Sequence, residues 1–353
     1  MGFLRLLLAV SILIYHAGPI GIITLIENHI AVQLFFIISG FMISYVLDQK
    51  YMKNKKQNIR LFYINRFFRI FPIYWVILAL TLSFSLFIAK DFSITPLGNA
   101  VKLFNNLSFN KIGEAANYLF NTIFIVNIKS ILNAFPNNIP LLIIPAWTLH
   151  VEIIFYIIVP FIYKRSIKSL VGLLIVGLSC RFIFYSLHFF GSKLPDGQFF
   201  PIQFIYFILG ILSYRLYLLF YMQKIVKRLS KYIFFATIAF ALCYQFLPFN
   251  WRIWHIHPIN WLFELTITAA FPFIFIATKN NMVDRFFGRI TYAVYLIHML
   301  VLQFLINNRW LTYTGEYQTI IVLLIAFLCA IMIDYLGIFV RGAINYKYIR
   351  NIS

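Results

Sequence analysis

Arg5 and His16 stand eleven residues apart in the first apolar run of the chain. On an α-helix that separation is ~16 Å of rise and only ~20° of rotation, so both side chains leave the helix along nearly one stripe. Ionisable groups at membrane depth cost a few kcal/mol or more and persist where they pair or line a cavity. An imidazole there can act as a general base, its unperturbed pKa of about 6.5 suiting the role. The plainer reading of the two residues is a snorkelling arginine and a hydrogen-bonded core histidine.

Four further groups could do chemistry. Arg66 and Arg69, in Arg66-Phe67-Phe68-Arg69, share a helix face. They form either a fork-shaped grip for phosphate or an ordinary basic anchor at the membrane edge. Glu152, in Trp147-Thr148-Leu149-His150-Val151-Glu152, is one of three carboxylates at membrane depth, with Glu264 and Asp334. Such a group must pair or be protonated, so Glu152 should face the bundle interior. His150 lies ~200° around the same helix and reads as incidental. Ser39-Gly40 is either a small-residue helix contact or a place where backbone approaches a ligand. Tyr292, Tyr295 and His298 recur every three residues as a polar-aromatic stripe, for which an interfacial aromatic belt is the alternative.

These groups are positioned by a membrane bundle. Of 353 residues, 62% are hydrophobic and only 11% charged, against roughly a quarter charged in soluble domains. Apolar runs long enough for a ~30 Å hydrocarbon core fall at about 3–23, 30–47, 70–89, 143–163, 169–188, 201–221, 232–248, 259–277, 290–308 and 318–340. The expected fold is all-α: a polytopic bundle of about ten transmembrane helices. It forms one integral membrane domain over 1–353, with no cleaved signal peptide and no appended soluble domain. Cys180, Cys243 and Cys329 lie in separate apolar stretches, which suits packing and gives no disulfide framework or metal site.

The net charge of +20 comes from basic blocks between the apolar runs, not from one polar face. That excludes nucleic acid and follows the positive-inside rule. With ten crossings and a cytoplasmic start, twenty-one of thirty basic residues fall inside and seven outside, while Arg181 and Arg215 stay at helix depth. Both termini are therefore expected in the cytoplasm, with anionic lipid headgroups and an anionic cytoplasmic cosubstrate as partners. Residues 90–142 read as an external loop, and 118–128 as an apolar piece too short to span, either interfacial or re-entrant.

In this order the motifs resemble acyltransferase family 3, the bacterial membrane O-acyltransferases best known for acetylating surface polysaccharides. The resemblance is carried by Arg5 with ten residues before His16, Phe35-Phe36 through Ser39-Gly40-Phe41, and Arg66 to Tyr74-Trp75. It continues through Trp147-Thr148-Leu149 with Glu152 and Phe155-Tyr156, and ends with Tyr292, Tyr295-Leu296 and His298. It runs from residue 3 to about 340. Gln33 and Ile153 stand where many members carry an acid, and Thr148 where Ser is common.

The resemblance implies transfer of an acyl group, most often acetyl, from acyl-CoA to a sugar hydroxyl, with succinyl-CoA open as donor. Arg5, Arg66 and Arg69 are then expected at the CoA, and His16 as general base, with an acyl-histidine intermediate as the competing mechanism. Glu152 is expected either to orient His16 or to stabilise its imidazolium. Ser39, Gly40, Tyr74, Trp147, Tyr292, Tyr295 and His298 are expected on the substrate side. The acceptor would be a cell-envelope polysaccharide or its lipid-linked precursor, and the location the bacterial inner membrane. No bound cofactor or metal is expected. The rival class is a transporter or flippase of an acyl group or lipid-linked sugar, for which the internal symmetry and broken helices of many transporters are not seen.

Overall fold

Backbone N–H and C=O groups cannot be left bare in lipid, so an apolar chain must satisfy them within helices. The computed structural model describes residues 1–52, 59–91, 95–98, 101, 111–125, 141–186, 200–247, 258–310 and 317–350. The helices are α1 (Gly2–Ala17), α2 (Asn28–Val46), α3 (Ile59–Ser83), α4 (Lys111–Phe124), α5 (Trp147–Ile162), α6 (Ile167–Ser186), α7 (Phe200–Phe220), α8 (Lys224–Leu242), α9 (Pro258–Thr278), α10 (Met282–Asn307) and α11 (Gln318–Arg350). All ten expected runs coincide with helices, and α4 corresponds to none of them. Eight of them (α2, α3, α5 and α7 to α11) are long and apolar enough to cross a bilayer. This is a multi-pass membrane protein.

Several helices outrun their apolar cores. Helices α3, α8 and α10 begin eight to eleven residues before the expected spans, because basic and polar residues continue the helix beyond hydrocarbon. Asn281 caps α10, its side-chain oxygen accepting from the backbone N–H of Val283 at 2.8 Å and of Asp284 at 3.1 Å. Helix α1 differs in the opposite sense. It stops at Ala17, not near residue 23, because Gly18 adopts φ +111° and Pro19 cannot continue a helix. His16 therefore sits in the last turn of α1.

Helix α2 is apolar on all sides and buried along most of its length, as a central helix should be. Its main partner is α7, and α1, α9 and α5 also pack on it. The α2–α7 crossing is backbone on backbone. A Cβ on Gly40 would lie 2.3 Å from the Phe207 carbonyl oxygen, and one on Gly210 only 2.1 Å from that of Ile37. Helix α10 packs between α1 and α11, and α8 pairs with α9.

The segment before α5 explains how polar side chains reach the interior. Helix α4 has 14 residues and does not span; the described part of the 118–128 piece ends it, and 126–128 lie outside the described residues. The last carbonyls of a helix need partners, and here other helices supply them. Tyr74 donates to Thr122 O, Trp75 Nε1 donates to Ile123 O at 3.0 Å, and His150 Nδ1 is 3.2 Å from Ile125 O. A 3₁₀ turn, Ile144–Ala146, then leads into α5. Its Pro145 carbonyl lies 3.0 Å from Thr148 Oγ1 and 3.2 Å from the Tyr295 hydroxyl. Irregular backbone is tolerated at depth when protein covers it in this way.

Candidate active site

One cavity of about 680 Å³, its open mouth included, lies between α1, α2, α3, α5 and α10. Three cations line it: Arg5 from the first turn of α1, and Arg66 and Arg69 from one face of α3. Glu152 of α5 is the acid among the lining residues. Arg66 is buried, its guanidinium 5.5 Å from the Phe62 ring centroid and 5.9 Å from that of Tyr156. These faces offer cation–π attraction but no hydrogen-bond acceptor. Nε and Nη1 of Arg66 and Nε of Arg5 are buried without a hydrogen-bond partner among the described residues. Arg69 is more exposed.

Glu152 does not neutralise this charge. Its Oε1 accepts from Ser39 Oγ at 2.5 Å and from the Tyr156 hydroxyl, and none of the three arginines forms an ion pair among the described residues. Three guanidinium groups against one carboxylate leave the cavity cationic. Buried charge lacking a partner is expensive, at several kcal/mol per ion, and an anion in the cavity would offset that cost. The hydrogen bonds hold Glu152 in one rotamer beside that space. Tyr292 lines the cavity and donates to Ile70 O at 3.1 Å.

Tyr295 forms the far wall. Its hydroxyl is 3.1 Å from Thr148 Oγ1, and its ring lies 5.9 Å from that of Phe35 and 6.1 Å from that of His298. Beyond it the His298 and His16 rings stand 5.5 Å apart. The order is thus arginine cavity, Tyr295, then a histidine pair near the far end of α1.

The cavity brings together Arg5, Arg66, Arg69, Ser39, Glu152, Tyr292 and Tyr295. It leaves out others named from the sequence. His16 and His298 lie past Tyr295, outside the lining. Gly40 faces α7, where it permits the close helix crossing. Tyr74 is buried with its hydroxyl engaged by α4. Trp147 packs on Phe36, ring centroids 6.4 Å apart. The expected contact between Glu152 and His16 is not formed: Glu152 shares the cavity with Arg5, and eleven residues of α1, ~16 Å of rise, separate Arg5 from His16. Tyr156 is the partner of Glu152 that i, i+4 spacing on one helix offers. Thr291, also in the lining, carried no signal of its own.

The fold and the site together are those of a multi-pass helical membrane protein with a cationic cavity between its helices and, beyond Tyr295, the His16–His298 ring pair. Residues 1–336 match the family model Acyl_transf_3, described as an acyltransferase domain, and the chain belongs to that family. It is also similar to the peptidoglycan O-acetyltransferase OatA of Listeria monocytogenes serovar 1/2a (strain ATCC BAA-679 / EGD-e), with 26% identity over 157 residues. That alignment covers 44% of this chain and 22% of the relative, so the two share only a fraction of the relative's length. No solved structure matches the chain.

Proposed function

We propose that this protein is a membrane O-acyltransferase that moves an acyl group, foremost acetyl, from cytoplasmic acyl-CoA to a hydroxyl of a cell-envelope polysaccharide or its lipid-linked precursor. The observation that carries this reading is the convergence of Arg5, Arg66 and Arg69 on one cavity, with buried guanidinium nitrogens left without partners. CoA is a polyanion, and planar guanidinium forks suit phosphate. The family supports acyl transfer, and the O-acetyltransferase name of the relative supports a hydroxyl acceptor. The location is the bacterial inner membrane, both termini in the cytoplasm, so that the cavity meets the cytoplasmic donor pool.

In the reaction the CoA phosphates rest on Arg66 and Arg69, and the pantetheine arm runs along α1 past Arg5 and then past Tyr295, which has to give way for the thioester to leave the cavity. The thioester meets the acceptor hydroxyl at His16. His16 takes the hydroxyl proton as the oxygen attacks the carbonyl carbon; the C–O bond forms, the C–S bond breaks, and the departing thiolate takes the proton from the imidazolium. Glu152, fixed by Ser39 and Tyr156, bounds the donor space and holds the field between the arginines in place.

Mass spectrometry of envelope glycans from cells with and without the protein tests the reading. The expected result is an alkali-labile increment of about 42 Da for acetyl, with about 100 Da marking succinyl instead. Identical glycan masses in both cell types, with the protein present in the membrane, would remove acyl transfer to envelope glycans.

A further inference from the structure

His298 is 1% exposed, in the interior of α10. Its Nδ1 is 2.7 Å from the carbonyl oxygen of Tyr295. A carbonyl only accepts, so in the neutral ring Nδ1 carries the hydrogen and Nε2 presents a bare lone pair. That Nε2 is buried and has no hydrogen-bond partner among the described residues. The ring facing it is His16, 5.5 Å away between centroids with the planes inclined by 33°. A buried acceptor without a donor keeps its full desolvation cost, and the neighbour able to supply an N–H is the residue to which acyl-transfer chemistry assigns the base.

We propose that His298 is the positioning partner of His16: Nε2 of His298 accepts a hydrogen bond from one ring N–H of His16, leaving the opposite nitrogen of His16 bare for the acceptor hydroxyl. This rests on the acyl-transfer reading above. Without such a partner the imidazole of His16 can turn over or take the other tautomer, and either puts an N–H where a base is needed. The backbone fixes the arrangement, since Tyr295 and His298 are one turn apart on α10 and the Tyr295 hydroxyl is itself held by Thr148 and Pro145. When His16 receives the substrate proton, the bond to His298 becomes charge-assisted and strengthens. It therefore stabilises the transition state more than the ground state. His298 stays neutral and touches neither substrate.

Membrane vesicles containing the protein and endogenous acceptor glycan, supplied with acetyl-CoA and followed by free-thiol release, separate turnover from donor KM. His298→Asn keeps an amide N–H for the Tyr295 carbonyl but has nothing at the Nε2 position. His298→Gln places an amide oxygen there. The expected result is turnover lowered on the order of 10²-fold in His298→Asn at unchanged donor KM, by analogy with loss of a histidine-orienting partner, and at least tenfold recovery in His298→Gln. Equal turnover in the two variants, or near-normal turnover in His298→Asn, would overturn the pairing. Thiol release unaffected by His16→Ala would instead overturn the acyl-transfer mechanism beneath it. If either variant fails to reach the membrane, ¹⁵N spectra of histidine-labelled protein decide the matter: an Nδ1–H tautomer with a hydrogen-bonded Nε2 at His298 is expected, and a protonated Nε2 contradicts it.

Discussion

Replacing His16 with alanine is expected to lower acyl transfer by 10²–10⁴-fold, the range contributed by a positioned general base, while the protein still inserts and folds. His16 is half-buried in the last turn of α1, beside Gly18 and the Ile20–Ile23 bridge. Its removal takes away the ring contact with His298 of α10 but none of the residues that line the arginine cavity. Thiol release from acetyl-CoA, scaled to the amount of protein in the membrane, reads the effect. A rate near that of the unmutated protein would take His16 out of the mechanism. Mass analysis of protein quenched during turnover separates the two roles of the imidazole, because an acetyl adduct on His16 marks covalent catalysis.

The second large effect falls on donor binding. A hydrogen bond to a charged group contributes about 1.5–3 kcal/mol, so Arg66→Ala should weaken acyl-CoA binding by roughly 10- to 150-fold. Arg69 is exposed, and pairs in solvent contribute about 1 kcal/mol or less; Arg69→Ala should cost no more than about fivefold. The two should also respond differently to salt. Screening acts on exposed charge over a Debye length of about 8 Å at physiological ionic strength and far less on buried charge. Raising the salt should erase the Arg69 effect and leave most of the Arg66 effect. Titrating CoA into purified protein across ionic strengths measures both. Affinity unchanged in the double variant at every salt concentration would make these residues membrane anchors.

Much of the scaffold was legible because lipid imposes one rule on backbone and another on charge. Ten apolar runs became ten helices, and the i, i+3 spacing of Arg66 and Arg69 put both on one face of α3 toward the cavity. The apolar run overshoots the end of α1 at Gly18-Pro19, because Ile20, Ile22, Ile23 and Leu25 carry the hydropathy onward. What stayed hidden was long-range pairing. Nothing local in α2 tells that Ser39 reaches Glu152 while its neighbour Gly40, ~100° further around the helix, lies on the backbone of α7. Tyr74 sits in a recognisable motif, yet its hydroxyl is engaged by the end of α4, a helix too short to register as a span. The neighbour of His16 could not be read either. By residue type a buried carboxylate is the natural orienting group, whereas the 5.5 Å approach of His298 depends on how α1 and α10 cross.

The central claim is that the donor enters from the side where basic residues collect. It is tested most directly in sealed vesicles of known orientation, with acetyl-CoA supplied to one face at a time and acetyl incorporation into glycan measured. Incorporation should occur only when acetyl-CoA faces the segments bearing Arg60, Lys164, Lys224 and Lys279. Incorporation in intact vesicles when acetyl-CoA is confined to the opposite face would contradict it.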